Sequence, residues 1–462
     1  MNTFGKMENI KLAVVGAEPG GLAAAVSARR SGIDDVVVFE REQSPGGILN
    51  QCIHDGFGLL RYGEALTGPE YADRLLQEAR TLGIEIKTGC MVLQMDRHKR
   101  ITVCSPEGLS VIRTEAVIFA TGCRERTRGN MMIPGTRPAG IYTAGVAQNL
   151  INRRNLMPGR KIIILGSGDI GLIMARRLVL EGAEVTAVFE IRSVAGGLER
   201  NVRQCLFDYQ IPLYLNHTVT QINGKKRIES VNVARVNEAG SIIPGTETVF
   251  PCDTLILSVG LIPENEIVKD AGIAIDETTK GASVDECLQT EIQGVFVCGN
   301  ARKVSDLADI VSAEGEAAGR NAARSIRNET LETYSAPVSH TLPKGVPQAG
   351  ILTCIVCPRG CHLTTSWDRE GEVLVSGNQC PRGLAYAREE LTCPKRILTT
   401  TVKTADGGLL SVKTKNGVEK SALATWSEKL WHMTLPARTY QCGDIIVIDG
   451  CEFLAGVDTR SR

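Results

Sequence analysis

A glycine-rich turn near the start of the chain has residue types and spacing that could bind a dinucleotide. Gly16, Gly20 and Gly21 follow an apolar run and open a helix-like segment, and a second apolar run ends at Glu40, 24 positions after the first glycine. Glycines allow a tight turn and a close backbone approach, a helix N-terminus receives the diphosphate, and the acid binds a ribose hydroxyl. The turn therefore predicts a nucleotide site, although Glu18 stands where a further glycine is expected.

A second turn, 150 positions later, repeats this layout without the departure. It contains Gly166, Gly168 and Gly171, and its acid is Glu190, again 24 positions after the first glycine. One such motif is weak evidence, but two with strand, helix and acid in register predict two nucleotides on one chain, a flavin and a nicotinamide. Glu190 would repel a 2′-phosphate, which favours NAD over NADP, although Arg192 two positions later acts against that preference.

Glu18 leaves two alternatives open at the first turn. A carboxylate brings bulk and negative charge to the place where the backbone should approach a diphosphate. Either the side chain turns outward and the site binds its nucleotide less tightly, or the site has lost its nucleotide and persists as a structural fold. Because the rest of the motif is intact, we expect an occupied but weakened site.

Four cysteines in the last quarter of the chain could hold a metal centre. Cys354, Cys357 and Cys361 are separated by two and three residues, and Cys380 precedes a proline. Three thiolates on a compact loop and a distant fourth satisfy a [4Fe–4S] cluster. Zinc, the alternative, also accepts four thiolates, but typically as two pairs. The remaining cysteines of this region stand alone and are not expected to bind iron: Cys393, Cys442 and Cys451.

Composition excludes several classes of function. The 462 residues contain 52 Lys and Arg and 52 Asp and Glu, so the balanced charge gives no indication of nucleic-acid binding. No apolar run approaches the roughly 18 residues of a transmembrane segment, and the N-terminus lacks the apolar region of a signal peptide. We expect a soluble, cytoplasmic protein whose fifteen cysteines are reduced or bind metal.

The elements that must position these residues alternate between strands and helices, and a linker precedes a tail of short strands. This pattern predicts an α/β fold with two Rossmann-like dinucleotide-binding domains and a small β-rich C-terminal cysteine domain. Helices are predicted at 22–30, 172–181 and 312–328, and strands of the tail at 398–402, 410–412 and 445–448.

Five segments together resemble the flavoproteins that have two dinucleotide-binding domains: 16–21, 40–41, 46–47, 120–122 and 294–300. The arrangement is similar to that of thioredoxin reductase, in which the nicotinamide domain is inserted into the flavin domain.

A closer likeness comes from residues 46–54, 121–126 and 133–140. These segments resemble the flavoprotein subunits that accompany anaerobic glycerol-3-phosphate dehydrogenase and, more distantly, those of hydrogen cyanide synthase and opine oxidases. The cysteine tail resembles a small uncharacterised domain that is often a separate partner and is fused here.

The resemblance implies where the cofactors bind. FAD would contact ten residues: Gly16, Gly20, Gly21, Glu40, Arg41, Gly47, Thr121, Gly122, Gly299 and Asn300. Many relatives carry Asp at the position of Asn300, but an amide can still bond a hydroxyl. NAD would bind at Gly166, Gly168, Gly171 and Glu190.

The domain division follows from the same likeness. An FAD-binding domain is expected from 8–125 and 263–330, with an NAD-binding domain, 126–262, between them. Residues 331–350 would form a linker and residues 351–462 the four-cysteine, iron–sulfur-type domain.

The reactive cysteine pair of a disulfide reductase is absent. Such enzymes have C-x4-C soon after the first acid or C-x2-C in the nicotinamide domain, whereas only Cys52 follows Gly47 and residues 126–262 contain no C-x2-C. Thioredoxin reductase activity is therefore not expected, and no catalytic side chain is assigned, because the flavin supplies the electron sink.

We predict an FAD-dependent pyridine-nucleotide oxidoreductase that transfers electrons between NAD(H), FAD and a [4Fe–4S] cluster. It would serve a flavin-dependent dehydrogenase subunit, similar to glycerol-3-phosphate dehydrogenase, in a hetero-oligomer. One alternative is a non-catalytic structural or assembly subunit with a degenerate FAD site and a zinc-binding tail. A free-standing NADH oxidase is another.

Overall fold

The computed structural model describes residues 8–337, 344–347 and 350–458, and these form two compact units. The first unit contains residues 8–124 and 261–337, and the second contains 125–260 together with the C-terminal residues from 344 onward. The predicted division into separate NAD-binding and four-cysteine domains stays a prediction. Parts of the predicted linker and tail, 338–343, 348–349 and 459–462, lie outside the described residues.

Residues 8–124 begin with a strand–turn–helix unit. Helix α1 starts at Pro19, whose missing N–H costs nothing at the first helical position, and its interior is rich in buried alanine. Helix α2 starts with a capping box between Thr67 and Glu70. The helices are α1 (Pro19–Arg30) and α2 (Gly68–Thr81). The strands are β1 (Glu8–Val15), β2 (Val36–Phe39), β3 (Asp55–Phe57), β4 (Leu66–Thr67), β5 (Glu85–Lys87), β6 (Met91–Met95), β7 (Arg100–Ser105) and β8 (Gly108–Phe119).

Residues 123–260 contain a second parallel sheet, which includes the strands on either side of the second glycine turn. The helices are α3 (Arg128–Met131), α4 (Ala144–Arg154), α5 (Asp169–Leu180) and α6 (Glu199–Cys205). The strands are β9 (Cys123–Glu125), β10 (Ile141–Thr143), β11 (Lys161–Leu165), β12 (Glu184–Glu190), β13 (Leu213–Leu215), β14 (His217–Gly224), β15 (Ile228–Arg235), β16 (Thr248–Pro251) and β17 (Thr254–Leu257). A parallel sheet has the order β10-β17-β11-β12-β13, and β14, β15 and β16 form an antiparallel sheet.

Residues 261–337 complete the first unit with β18 (Leu261–Pro263), α7 (Glu266–Asp270), β19 (Val295–Val297) and α8 (Ala308–Ile326). The main sheet has the order β5-β2-β1-β8-β7-β6, and β19 pairs with β8. Successive residues of β1 enter opposite cores, because Val14 packs with α1 and α8 and Ala13 packs on the other face. The carboxyl ends of the parallel strands β1, β2, β8 and β19 therefore meet at one edge, where the first glycine turn lies.

The described part of the C-terminal region, 344–347 and 350–458, is mainly β-structure and contains the helices α9 (Pro381–Thr392) and α10 (Leu423–His432). Its strands are β20 (Leu352–Thr353), β21 (His362–Trp367), β22 (Val373–Ser376), β23 (Lys395–Arg396), β24 (Thr399–Thr404), β25 (Leu409–Thr414), β26 (Val418–Glu419), β27 (Thr434–Leu435), β28 (Ile445–Ile448) and β29 (Cys451–Asp458). The sheet β20-β21-β22 adjoins the cysteine-rich segment, and a larger sheet has the order β27-β24-β25-β29-β28.

The predicted α/β class with a β-rich C-terminal region is confirmed. All three predicted tail strands are present as β24, β25 and β28, whereas α9 and α10 were not predicted. The start of α9 did carry a signal, because Pro381 occupies the first helical position. Among the described residues, no helix has the length and apolar character needed to cross a membrane.

Candidate functional site

The first glycine turn requires glycine for backbone reasons. Gly16 follows β1 with a φ of +104°, and a Cβ there would collide with the carbonyl oxygen of Ala120. A Cβ on Gly21 would collide with the carbonyl oxygen of Gly16. Only glycine at both places allows β1 to turn into α1 beside the end of β8.

Glu40, the acid predicted to bind a ribose, immediately follows β2 and lies beside this turn. One carboxylate oxygen accepts the N–H of Ala17 at 2.9 Å and the other accepts the N–H of Glu42 at 2.8 Å. Burial raises the pKa of the Glu40 carboxyl, and these two N–H groups only partly offset it. Arg41, which follows, has an exposed side chain.

The other residues predicted to contact FAD cluster around the same turn. Gly20 and Gly299 both lie against the side chain of Val311, since a Cβ on either would be 3.3 or 3.0 Å from its Cγ1. Thr121 follows the strand end that contacts Gly16, and its hydroxyl donates to the carbonyl of Glu264 at 2.7 Å.

Three further positions were predicted at this site. The amide oxygen of Asn300 accepts the N–H of Ser305 at 2.9 Å, so this side chain is engaged in its own loop. Gly47 and Gly122, both with positive φ, lie on either side of a single side chain, that of Glu18.

Glu18 points into the group of predicted FAD residues. A Cβ added to Gly47 would be 2.6 Å from Oε1 of Glu18, and one added to Gly122 would be 2.6 Å from Oε2. Burial, and then the charge of Glu40, raise the pKa of Glu18 to about 7, although the N–H of Ile48 and the charge of Arg41 act in the opposite direction. The outward orientation considered for Glu18 is therefore wrong, because its carboxyl group fills the space in front of both glycines.

The second turn has the same backbone requirements and no side chain in the equivalent place. Gly166 has a φ of +93°, and Cβ atoms on Gly168 and Gly171 would lie 3.2 Å from Oγ and 2.6 Å from Cβ of Ser258. The Ser258 hydroxyl, just after β17, also accepts the N–H of Gly171 at 3.2 Å. The three glycines predicted for NAD are thus brought together in one turn beside Ser258.

Glu190 repeats the geometry of Glu40. Its Oε2 accepts the N–H of Ser167 at 3.0 Å and also the Ser167 hydroxyl, and its Oε1 accepts the N–H and Nε of Arg192 at 3.1 and 3.2 Å. Burial raises the pKa of Glu190, but the bonds from Ser167 and Arg192 outweigh it, so the pKa is lowered overall. The sequence repeat is therefore also a structural repeat, with each acid bonded to the residue that follows the first glycine.

The four predicted ligand cysteines come from two neighbouring places. The N–H of Cys354 donates to the carbonyl of Cys361 at 2.9 Å, which closes the loop 354–361. Cys380 immediately precedes α9, and a Cβ on Gly383 in the first turn of that helix would lie 3.9 Å from Sγ of Cys354. The loop and the start of α9 are therefore adjacent.

The pKa shift of Cys354 also reflects the proximity of the four predicted ligand cysteines. Burial, together with the thiols of Cys357, Cys361 and Cys380, raises the pKa of Cys354 to about 11. The pKa of Cys380 is lowered by the N–H of Gly383 and by Arg382. Within residues 8–337, 344–347 and 350–458, no three His, Cys, Asp or Glu side chains stand in an arrangement that holds a metal ion, so the metal assignment stays a prediction.

Cys52 does not have the properties of a redox nucleophile. All fifteen cysteines are free thiols. Burial, with a smaller contribution from Glu18, raises the pKa of Cys52 to about 12, so the reactive thiolate is scarce at neutral pH.

Two functional groups were missed by reasoning from sequence. Ser258 supports the second turn from just after β17, 87 positions beyond Gly171, so the glycine motif itself does not indicate it. Glu199, in α6, is bonded to Thr353 and His362, which are more than 150 positions away, so no local pattern could indicate it.

Comparison with known proteins identifies matches for both parts of the chain. The family described as "Pyridine nucleotide-disulphide oxidoreductase" matches residues 10–317, and one described as "Protein of unknown function (DUF1667)" matches residues 381–458. A thioredoxin reductase of Listeria innocua is 26% identical over 329 residues, which cover 70% of this chain and 96% of that protein.

Two further relatives are similar over comparable lengths. An opine oxidase subunit of Agrobacterium tumefaciens is 23% identical over 349 residues, which cover 71% of this chain and 68% of that protein. The crystal structure of Lactococcus lactis thioredoxin reductase superposes with a TM-score of 0.58 at 23% identity, covering 69% of this chain and 99% of that one. The superposition shows a shared fold.

Proposed function

The chain belongs to the pyridine nucleotide-disulphide oxidoreductase family. On this basis, and on the cysteine-rich C-terminal region, we propose that it is an electron-transfer subunit that connects NAD(H), FAD and a [4Fe–4S] cluster. Family membership makes it an NAD(P)-dependent oxidoreductase and supports FAD as its second cofactor. The features of the second turn that support a nicotinamide dinucleotide are its three glycines and Glu190, which is bonded to the residue after the first glycine. The first turn fits FAD in its glycines and in Glu40, but not at Glu18.

One observation carries the iron–sulfur part of the proposal. The loop 354–361 and the start of α9 bring four cysteines from a 27-residue stretch into one neighbourhood, next to the sheet β20-β21-β22. Four thiolates are the usual ligands of a [4Fe–4S] cluster, and such a cluster exchanges single electrons, whereas a nicotinamide delivers a hydride. The buried Arg200, whose Nη1 donates to the carbonyl of Ile355 at 3.3 Å, supplies positive charge beside a site that would be anionic.

A partner subunit is the third part of the proposal. The chain contains no reactive cysteine pair near Cys52, so its electrons need another acceptor or donor. One relative is itself named as a subunit of an opine oxidase, which supports a partner in general. The resemblance of residues 121–140 favours a flavin-dependent dehydrogenase similar to glycerol-3-phosphate dehydrogenase.

The absorbance and EPR spectra of protein purified without oxygen test this proposal. The expected absorbance spectrum is that of a flavin with a broad visible shoulder. We also expect about four iron and about four sulfide ions per chain, and an EPR signal after reduction. A colourless protein with stoichiometric zinc would contradict it.

That outcome would favour the second candidate, a structural or assembly subunit. The observation that favours this candidate is the position of Glu18, whose carboxyl group lies between Gly47 and Gly122. The two candidates are separated by one measurement, because a subunit with an empty first turn retains no flavin even after reconstitution with excess FAD.

A further inference from the structure

Helix α6 is bonded to the second glycine turn at its start. Asp169 is the first residue of α5, and its Oδ1 accepts the N–H of Leu198 at 2.7 Å and the side-chain amide of Asn201 at 2.8 Å. The N–H of Gly197 also donates to the carbonyl of Ser167 at 2.8 Å. The residues that lead into α6 are thus fixed to the turn predicted to receive a dinucleotide.

The same helix is bonded to both flanks of the cysteine loop, defined as residues 354–361. Oε1 of Glu199 accepts the hydroxyl of Thr353 at 2.6 Å, and Oε2 lies 2.7 Å from Nε2 of His362. Thr353 immediately precedes Cys354, and His362 immediately follows Cys361. One carboxylate, with 5% of its side chain exposed, therefore holds the two ends of the loop.

We propose that Glu199 is a positioning residue that fixes the cysteine loop to α6, and that α6 transmits dinucleotide binding at the second turn to this loop. The hydrogen bonds that carry this inference are all formed within the chain. The inference rests on the proposed function only for the identity of the two ligands, a nicotinamide dinucleotide at the turn and a metal centre at the loop.

The physical reason is that the Glu199 carboxylate supplies the bonds to both flanks of the cysteine loop. Hydrogen bonds to an ionised acceptor are stronger than neutral ones, and a buried polar group that loses its partner is costly. Removing the Glu199 carboxylate frees both flanks at once, whereas removing the Thr353 hydroxyl frees one. Local opening of the loop should therefore increase in that order.

The chain offers a matched control for this effect. Thr353 and Thr400 are both 1% exposed, and each bonds through its hydroxyl to a charged side chain between 125 and 260. The Thr400 hydroxyl donates to the carboxylate of Glu181 at 3.4 Å and also accepts from Arg177 at 3.0 Å, but Thr400 belongs to β24, in the larger sheet. Thr400→Val therefore removes the same kind of bond without touching either flank of the cysteine loop.

The first experiment measures alkylation of Cys354 by N-ethylmaleimide in the full chain after treatment with a metal chelator, by mass spectrometry of the Cys354 peptide. Cys354 is 3% exposed, so its alkylation requires local opening. We expect Glu199→Ala to accelerate it about tenfold, Thr353→Val a few-fold, and Thr400→Val not at all. Glu199→Gln, which keeps an acceptor for Thr353, should restore most of the protection.

The results separate this proposal from the proposed function. Equal alkylation rates in Glu199→Ala and the parent would overturn the positioning role, whatever metal the parent contains. A fast rate in Glu199→Ala with no iron in the anaerobically purified parent would uphold the positioning role and overturn the cluster. If Thr400→Val opens the loop as much as Thr353→Val, the effect is general loosening and the proposal fails.

The second experiment tests transmission, with NAD⁺ as the probe. Saturating NAD⁺, with binding verified by calorimetry, should slow Cys354 alkylation about threefold in the parent and in Thr400→Val. The same addition should have no effect in Glu199→Ala, which still binds NAD⁺. An unchanged rate in the parent, or no binding of NAD⁺, would overturn the transmission.

Discussion

Glu18 should make the stability of the first unit depend on pH. Burial and the Glu40 charge raise its pKa to about 7, against an ordinary value of 4.5. The folded chain then holds the proton more tightly than the unfolded chain, so stability is highest below 4.5, falls as the pH rises between these values, and is constant above 7. At about 1.36 kcal/mol per pKa unit, the loss is up to about 3 kcal/mol.

Glu18→Gln tests this loss because it keeps the size of the side chain and removes the charge. We expect the variant to match the parent at about pH 4 and to be more stable by up to about 3 kcal/mol at about pH 8. The three tryptophans, at 367, 426 and 431, all lie in the second unit. Unfolding of the first unit is therefore followed by hydrogen exchange of peptides from β1 and α1.

Flavin binding should respond to the same carboxyl group. FAD is predicted to contact Gly47 and Gly122, and the Glu18 carboxyl group lies against both glycines, so an ionised Glu18 would oppose the negatively charged cofactor through charge and bulk. We expect the parent to bind FAD more weakly as the pH rises through about 7. Glu18→Gly should bind at least about tenfold more tightly at about pH 8, equivalent to about 1.4 kcal/mol.

The assay is a titration of flavin fluorescence with stripped protein over a series of pH values. Glu42→Gln is the matched control, because it removes the same charge from an exposed side chain close by. The control should retain the pH dependence of the parent, and both Glu18 variants should lose it. If Glu18→Gln keeps the parent's pH dependence, another group titrates and the reasoning is refuted.

Three further predictions concern the remaining centres. NADH should reduce the bound flavin faster than NADPH in stopped-flow measurements, because Glu190 would repel a 2′-phosphate; equal rates would mean that Arg192, which donates to Glu190, offsets this repulsion. Single alanine substitutions of the four predicted ligand cysteines should each remove most iron and the EPR signal, whereas Cys393→Ala should leave both; the reverse pattern would refute the ligand set. Cys52→Ala should leave flavin reduction by NADH within about twofold of the parent, because a thiol with a pKa of about 12 supplies little thiolate; a larger loss would show that Cys52 takes part.

The two turns could be predicted from sequence because their requirements are local. Gly16 and Gly166 both have positive φ, which favours glycine, and the following helix starts within a few residues. The acids Glu40 and Glu190 follow after one helix and one strand, so the spacing alone locates them. The residue types and their spacing therefore predict short-range geometry of this kind.

The direction of Glu18 and the partners of Glu199 could not be predicted in this way. Glu18 is confined by Gly47 and Gly122, which reach it from a loop and from the end of a different strand. The partners of Glu199 come from the cysteine region, through packing that the order of elements does not specify. Tertiary contacts determine both side chains, and no periodicity in the chain encodes them.

The two turns share a backbone arrangement but differ in the charge that a dinucleotide meets. At the second turn, the hydroxyl of Ser167 and a neighbouring arginine donate to Glu190, and these bonds lower its pKa although burial opposes them. The first turn has Ala17 in place of Ser167, so Glu40 lacks a hydroxyl donor and burial raises its pKa. Glu18 adds a second carboxyl group there, which the charge of Glu40 disfavours further in its ionised form. A diphosphate at the first turn therefore meets two acids whose pKa values are raised, whereas Glu190 at the second turn is paired with Ser167 and Arg192 and has a lowered pKa. Proton uptake should accompany binding at the first turn only, so that flavin affinity falls with rising pH while nicotinamide affinity does not.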